Sequence, residues 1–177
     1  MDLNSTVSAQ RLHIGFFGTV NSGKSSLVNA LTGQELSIVS DTKGTTTDPV
    51  QKAMELLPLG PVVIIDTPGL DDGTELGKLR IERTMQMLRK TDIAVIVTDA
   101  SEKDEETESF IEIVKEKGIP VIFVRNKCDL DDTDADGSDV LFVSAKTGKN
   151  IDELKRRIAA SIPAVRAEKR IVSDLLK

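Results

Sequence analysis

Short apolar runs alternate along this chain with stretches whose apolar residues recur at helical spacing. Four continuous apolar runs are typical of parallel strands that are covered on both faces of a sheet, at positions 62–65, 93–97, 121–124 and 140–143. A further strand is predicted from Leu12 to Phe17, and a more polar candidate at 50–57 is expected at the sheet edge. The pattern predicts an α/β fold with a mostly parallel central sheet and helices on both faces.

Helical spacing defines the segments between these strands. Thr107, Phe110 and Val114 share one stripe of a predicted helix, and Ile151, Leu154 and Ile158 share a stripe of the last one. Residues 26–31 continue as a helix that Gly33 is expected to end. We expect one domain at 1–163, with 164–177 as a connector toward domains that this chain does not contain.

A glycine-rich segment lies between the first strand and the first helix. Residues 18–25, GTVNSGKS, match the pattern G-x-x-x-x-G-K-[ST] at every fixed position. Backbone N–H groups and the helix N-terminus favour phosphate here, the Lys24 ammonium adds a full positive charge, and the Ser25 hydroxyl is suited to Mg²⁺. The predicted phosphate-binding residues are Asn21, Ser22, Gly23, Lys24, Ser25 and Ser26.

The sequence Asp66-Thr67-Pro68-Gly69 follows the apolar run at 62–65. Its carboxylate is placed to hold Mg²⁺ through water, and the Gly69 N–H is placed to reach a γ-phosphate. The alternative is an ordinary Pro-Gly turn without function. The glycine-rich segment nearby favours the catalytic interpretation.

Two further motifs follow neighbouring strands and together can frame a guanine base. They supply the residues Asn126, Lys127, Asp129, Ser144, Ala145 and Lys146. The Asp129 carboxylate can accept from guanine N1–H and the N2 amino group, Asn126 can contact O6 or N7, and the Ala145 N–H can reach O6. Adenine would leave Asp129 without a partner, which predicts GTP and GDP as ligands.

The net charge and the residue composition limit the kinds of partner that we expect. The formal charge of −6 disfavours a surface built to hold nucleic acid, so we expect a guanine nucleotide and protein partners, and no nucleic acid. No apolar run is long enough to span a bilayer and no export signal is recognisable, which predicts no membrane contact and a cytoplasmic location. One cysteine and one histidine exclude an intrachain Cys/His metal cluster.

The four motifs GTVNSGKS, DTPG, NKCD and SAK occur in the order of a small GTPase domain, and the chain resembles the bacterial TrmE-Era-like P-loop GTPases over about residues 12–162. That resemblance assigns a second Mg²⁺ ligand in the segment 40–48, SDTKGTTTD, to Thr46, with Thr45 as the alternative. Lys24, Thr46 and Gly69 are then the predicted catalytic residues.

Residues 39–72 and 75–95 resemble more narrowly the HydF-type GTPases that mature iron-only hydrogenase. This resemblance implies hydrogenase and other maturation proteins as partners, and a possible homodimer. The alternatives are the GTPase domain of a tRNA-modifying or ribosome-assembly protein, or a nucleotide-binding scaffold with little turnover.

Two positions bear on catalysis. Relatives of the TrmE branch use an asparagine at the position of Asn21 to bind K⁺, which implies a K⁺ site here, although a turn-forming role is the alternative. Leu70 stands where Ras-like GTPases place a glutamine that orients water, and the TrmE glutamate is not in register. Glu75, Asp71 and Asp72 remain candidates, and slow intrinsic hydrolysis is predicted.

Overall fold

The computed structural model describes residues 11–18, 22–33, 50–67, 75–98, 105–126 and 139–176 of the chain. The strands of this part, numbered along the chain, are β1 (Leu12–Gly18), β2 (Val50–Leu56), β3 (Gly60–Asp66), β4 (Ile93–Thr98), β5 (Val121–Arg125) and β6 (Val140–Phe142). The helices are α1 (Lys24–Thr32), α2 (Glu75–Leu88), α3 (Glu105–Glu116) and α4 (Ile151–Leu175).

The strands form one sheet in the spatial order β2-β3-β1-β4-β5-β6. Neighbours from β3 to β6 pair in parallel, whereas β2 runs antiparallel to β3 at the edge. Strand β1 therefore has β3 on one side and β4 on the other, so the strand order changes direction at β1. In open α/β sheets, ligands bind at the carboxyl ends of the strands at such a point. The predicted α/β fold and the predicted edge strand are both confirmed.

The core lies in two layers, one on each face of the sheet. Alternate strand residues such as Ile14, Phe16 and Val95 pack with Leu27 of α1 and Leu154 of α4 on one face. The other face packs Phe17 and Ile96 of the sheet against α2 and α3. Because both faces are covered, the central strands are continuously apolar, as the sequence pattern predicted.

Helix α4 runs through the expected boundary between residues 163 and 164. Pro163 lies inside this helix, where it removes one backbone hydrogen bond. Val165 is buried in the same core cluster as Leu154 and Ile158, so packing of the domain continues past Pro163. A connector that starts at 164 remains a prediction, and in this structure it would begin as a continuation of the helix.

Candidate nucleotide-binding site

Two glycines set the backbone path from β1 into α1. Gly18 ends β1 so close to β4 that a Cβ atom there would clash with the backbone carbonyl oxygen of Val97. Gly23 has φ 75° and ψ 24°, in the left-handed region that glycine adopts without strain. Helix α1 begins at the next residue, so its unpaired N–H groups and positive end face the loop. This local geometry is suited to an anion.

The Lys24 side chain is buried at the start of α1. Its Nζ donates to the Asp66 carboxylate and to the Thr67 carbonyl oxygen, both at the end of β3. The side chains of Lys24 and Asp66 are 7% and 9% exposed. Lys24 thus joins the glycine-rich loop to the motif after β3, which are 42 positions apart in sequence.

Ser25 and Asp66 also contact each other. Ser25 Oγ donates to Asp66 Oδ2 at 3.2 Å, so a hydroxyl and a carboxylate oxygen lie side by side next to the start of α1. Mg²⁺ prefers hard oxygen ligands and completes its shell with water and phosphate oxygens. The donor set fits a single Mg²⁺ ion held together with a nucleotide. Within the described residues, no group of three or more His, Cys, Asp and Glu side chains could hold a metal by itself.

Asn126 joins the glycine-rich loop to the loop after β6. It is 2% exposed, and its Nδ2 donates to the carbonyl oxygens of Ser22 at 3.1 Å and Gly23 at 3.3 Å. Its Oδ1 accepts from the Ala145 N–H at 3.1 Å. The two carbonyls require a donor and the N–H requires an acceptor, so these partners fix the orientation of the amide.

This arrangement gives Asn126 a role in joining loops, while its expected contact with guanine O6 or N7 stays a prediction. Guanine O6 and N7 are both acceptors, and the Asn126 amide nitrogen already donates to two backbone carbonyls. The Ala145 N–H, expected to reach O6, donates to Asn126. Asn126 therefore holds the two loops in register in this structure.

The loop after β6 is compact and closed by its own hydrogen bonds. Ser144 is fully buried, and its Oγ accepts from the Thr147 N–H at 3.2 Å. Its carbonyl oxygen accepts from the Gly148 N–H at 2.9 Å. Lys146 lies exposed at the outer side of this turn, where its stem is free to cover a ring face. Ser26 is likewise exposed, in the first turn of α1.

Several predicted site residues lie outside the part of the chain that the structure describes: Asn21, Thr46, Gly69, Lys127 and Asp129. The described residues bring Ser22, Gly23, Lys24, Ser25, Asp66, Asn126, Ser144 and Ala145 to the carboxyl ends of β1, β3, β5 and β6. The predicted phosphate, magnesium and base motifs therefore converge at one edge of the sheet.

Thr67 is a site residue that the sequence analysis did not single out. Its Oγ1 donates to the Phe16 carbonyl oxygen at 2.6 Å, and its own carbonyl accepts from Lys24. The residue is 2% exposed. A small hydroxyl residue directly after a strand-ending aspartate was the available signal, because such a side chain can bind a neighbouring strand end.

Known proteins resemble the chain over most of its length. The family model described as 50S ribosome-binding GTPase matches residues 13–127. The tRNA modification GTPase MnmE of Laribacter hongkongensis is 34% identical over 157 residues, which cover 85% of this chain and 35% of MnmE. The GTPase Der of Wolinella succinogenes is 36% identical over 167 residues, with 83% and 35% covered. The chain thus spans about a third of these relatives.

Solved structures of Era are similar as well. Era of Aquifex aeolicus bound to GDP and aluminium fluoride has a TM-score of 0.68 at 28% identity, covering 84% of this chain and 56% of Era. Era in complex with MgGDPNP and a segment of 16S ribosomal RNA gives the same TM-score and identity, with 84% and 55% covered.

The fold, the convergent motifs and the family match all indicate a GTPase domain. These relatives carry the names MnmE, Der and Era, and none of the three names is that of a hydrogenase maturation protein. No helix of the described part is both long enough and apolar enough to cross a membrane. The chain belongs to the 50S ribosome-binding GTPase family, as a GTP-binding P-loop GTPase domain of the TrmE, Era and Der type.

Proposed function

We propose that this domain is a slowly hydrolysing GTP switch whose nucleotide state is sensed through the end of β3. The observation that carries the proposal is the contact of Lys24 with Asp66 and Thr67. A phosphate in the loop attracts the Lys24 ammonium, and departure of that ammonium frees the Asp66 carboxylate for Mg²⁺. Nucleotide binding and the conformation of the motif after β3 are then linked through one side chain.

The residues divide the chemistry between them. Backbone N–H groups at the start of α1 and the Lys24 ammonium bind and orient the phosphates, and Ser25 and Asp66 would hold Mg²⁺ together with Thr46. Bound Mg²⁺ supplies charge neutralisation on the phosphate oxygens. The Gly69 N–H is proposed to contact the γ-phosphate, and loss of that phosphate would release about residues 37–48 and 68–79. K⁺ at Asn21 is part of the same proposal.

Base recognition rests on Asp129 and on the loop that Asn126 holds. The tie from Asn126 to Ser22 and Ala145 keeps the base-binding loop at a fixed distance from the phosphate loop. Lys127 and Lys146 would cover the two faces of the guanine ring. Calorimetric titration with GTP, GDP and ATP tests this part, since equal affinities for GTP and ATP would refute a guanine-specific site.

Turnover distinguishes a switch from a passive scaffold. Phosphate release is measured with GTP and Mg²⁺ for the wild-type chain and for Lys24→Ala. We expect slow release that the variant abolishes. Tight GTP binding with identical background release from both proteins would favour the scaffold.

At the level of the whole protein, we propose a HydF-type role in which the switch controls delivery of an iron-cluster precursor to hydrogenase. The support is the sequence of 39–72 and 75–95, which spans β2, β3 and α2 and continues into β4. The second candidate is a tRNA-modifying GTPase, favoured by the similarity to MnmE. A cytoplasmic location belongs to both proposals.

The two roles are separated in a deletion strain of the source organism. Hydrogenase activity and tRNA modification, read by mass spectrometry, are measured with and without the gene. Loss of hydrogenase activity that the wild-type gene restores and Lys24→Ala does not would support the HydF-type role. Loss of a tRNA modification with normal hydrogenase would refute it.

The proposed role includes no RNA partner, because the formal net charge of −6 disfavours binding to a polyanion. The Era complex with ribosomal RNA nevertheless shows that a relative of this domain binds RNA. This chain covers 55% of that Era protein.

A further inference from the structure

Asn150 lies between the loop that follows β6 and the start of helix α4. We name residues 143–150 the β6–α4 loop; it contains the segment 144–146 of the predicted base-binding motif. Asn150 Nδ2 donates to the Phe142 carbonyl oxygen at 2.7 Å, across the base of this loop. The Asn150 carbonyl oxygen accepts from the Leu154 N–H at 3.0 Å, in the first turn of α4. One residue thus joins the end of β6, the loop and the helix.

The Phe142 carbonyl points to the outer edge of the sheet. In a parallel strand, the N–H and C=O groups of one residue point to the same side, and those of the next residue point to the opposite side. The Val143 N–H donates to the Arg125 carbonyl oxygen of β5 at 2.8 Å, so the groups of Phe142 and Ser144 point away from β5. Since β6 ends the sheet on this side among the described strands, the Asn150 amide supplies the donor that a further strand would provide.

The backbone of residues 148–150 lies along the same edge. The Ser144 N–H donates to the Lys149 carbonyl oxygen at 3.1 Å, and the Ser144 carbonyl oxygen accepts from the Gly148 N–H at 2.9 Å. The bond from the Asn150 amide continues this row by one residue toward β6. Of these three hydrogen bonds, that of Asn150 alone comes from a side chain, so it is the one that a substitution can remove.

The backbone conformation of Asn150 explains which residues can stand there. Its φ of 60° is in the left-handed region, and among the described residues it is the one non-glycine residue with a positive φ. Glycine adopts this conformation freely, and asparagine and aspartate adopt it at lower cost than other side chains. Aspartate keeps the shape of asparagine, but its carboxylate only accepts hydrogen bonds. Substitution by aspartate or glycine therefore removes the donor and keeps the backbone path.

The other side of the β6–α4 loop is fixed to the phosphate loop. The Ala145 N–H donates to Asn126 Oδ1 at 3.1 Å, and Asn126 Nδ2 donates to the Ser22 carbonyl oxygen at 3.1 Å. The exposed Lys146 lies in the turn between this tie and the one from Asn150. Without the Asn150 amide, the loop keeps its contact with Asn126 but loses a contact with β6, so the position of Lys146 is less restricted.

We propose that Asn150 is a positioning residue for guanine recognition: its amide holds the β6–α4 loop against β6, so that Ala145 and Lys146 meet the base in one fixed arrangement. The inference rests on the proposed guanine site and adds to it a residue that does not touch the nucleotide. The phosphate loop has its own contacts, through Lys24 and Asp66. Loss of the Asn150 amide should therefore weaken binding of the base and leave binding of the phosphates unchanged.

Competition against a ribose-labelled fluorescent GDP tests the proposal. The dissociation constants of GDP, ADP and pyrophosphate, each with Mg²⁺, are measured for the wild-type chain, Asn150→Asp and Asn150→Gly. We expect both variants to bind GDP about three- to tenfold more weakly, the effect of one hydrogen bond, and to bind pyrophosphate as wild type does. Agreement between the two variants excludes the added charge of aspartate as the cause. The matched control is Asp152→Asn, an exposed position in the first turn of α4, which should keep wild-type affinity for both ligands.

A residue that only stabilised the fold would give a different result. Urea unfolding would then show the loss, and the folded variants would bind GDP and pyrophosphate as wild type does. Wild-type GDP affinity in both variants, a loss in only one of them, or an equal loss for GDP and pyrophosphate would overturn the role of Asn150 and leave the guanine site standing. A wild-type chain that binds GDP and ADP equally would refute the guanine site itself, and this inference with it.

Discussion

Replacement of Lys24 by methionine removes the buried ion pair on which the proposed switch rests, together with the hydrogen bond from Lys24 to the Thr67 carbonyl oxygen. Methionine keeps an unbranched side chain of similar length but removes the charge, so Asp66 is left without its cation. Breaking one partner of a buried pair costs about 3–5 kcal/mol. Loss of the hydrogen bond from Lys24 to the Thr67 carbonyl oxygen adds about 1 kcal/mol, and the remaining hydrogen bond from Ser25 to Asp66 offsets about 1 kcal/mol. We therefore expect the free energy of unfolding of the nucleotide-free variant to be about 3–5 kcal/mol lower than that of wild type.

A double-mutant cycle separates the pair from general disturbance. Asp66→Asn alone leaves the Lys24 ammonium without its anion, whereas Lys24→Met combined with Asp66→Asn leaves no unpaired charge. The double variant should be less destabilised than the sum of the two single variants by at least about 1 kcal/mol. The control is Arg156→Met, which removes an exposed pair with Glu153 and should cost only about 0–1 kcal/mol.

Urea unfolding followed by far-UV circular dichroism measures these differences. The chain contains no tryptophan or tyrosine, so intrinsic fluorescence gives little signal. Bound nucleotide is first removed by dialysis against a chelator, and the scans are repeated with GDP and Mg²⁺, which should stabilise wild type and not Lys24→Met. A Lys24→Met chain as stable as wild type without nucleotide, or strictly additive single effects, would show that the pair does not form.

Four further outcomes follow from the site. Asp129→Asn should weaken GTP binding by about 2–5 kcal/mol and favour xanthine nucleotides, and calorimetry that finds no loss would refute base recognition by Asp129. Asn126→Ala should weaken GTP and xanthine nucleotides alike, at least about tenfold by calorimetry, because the register of both loops is lost; a change in base preference would contradict a positioning role. Gly18→Ala should destabilise the fold by about 1–3 kcal/mol in urea, since the Val97 carbonyl blocks the new methyl group, and an unchanged midpoint would disprove the close approach. Phosphate release at matched ionic strength should be faster in K⁺ than in Na⁺ and lose that difference in Asn21→Ala; equal rates throughout would make Asn21 a turn residue only.

The sheet was predictable because burial on both faces leaves a simple mark in sequence. The runs at 93–97 and 62–65 are apolar without alternation, as strands between two helical layers must be. The weaker candidate at 50–57 is more polar because β2, among the strands that the structure describes, pairs with β3 alone. The apolar runs of β5 and β6 look the same in sequence, but in the structure their residues alternate between buried and partly exposed.

The site motifs were predictable as positions but not as contacts. Sequence spacing places Asn126 and Asp66 at strand ends, where polar groups converge. It does not show that the Asn126 amide is used by the backbone of Ser22 and Ala145, because those partners are fixed by the register of loops from distant elements. The partner of Lys24 was equally hidden, since it depends on how far α1 lies from the end of β3.

The contacts of Thr67 bear on how the proposed switch would act at the end of β3. Its hydroxyl and its N–H both donate to the Phe16 carbonyl oxygen, so two of its contacts hold it to β1 without Lys24. If Lys24 turned to a phosphate, as the proposed switch requires, Thr67 would lose only the contact to its carbonyl oxygen. The two contacts to Phe16 would still hold the end of β3 in place. In that proposal, Asp66 would therefore keep its position for Mg²⁺ whether or not Lys24 stays beside it.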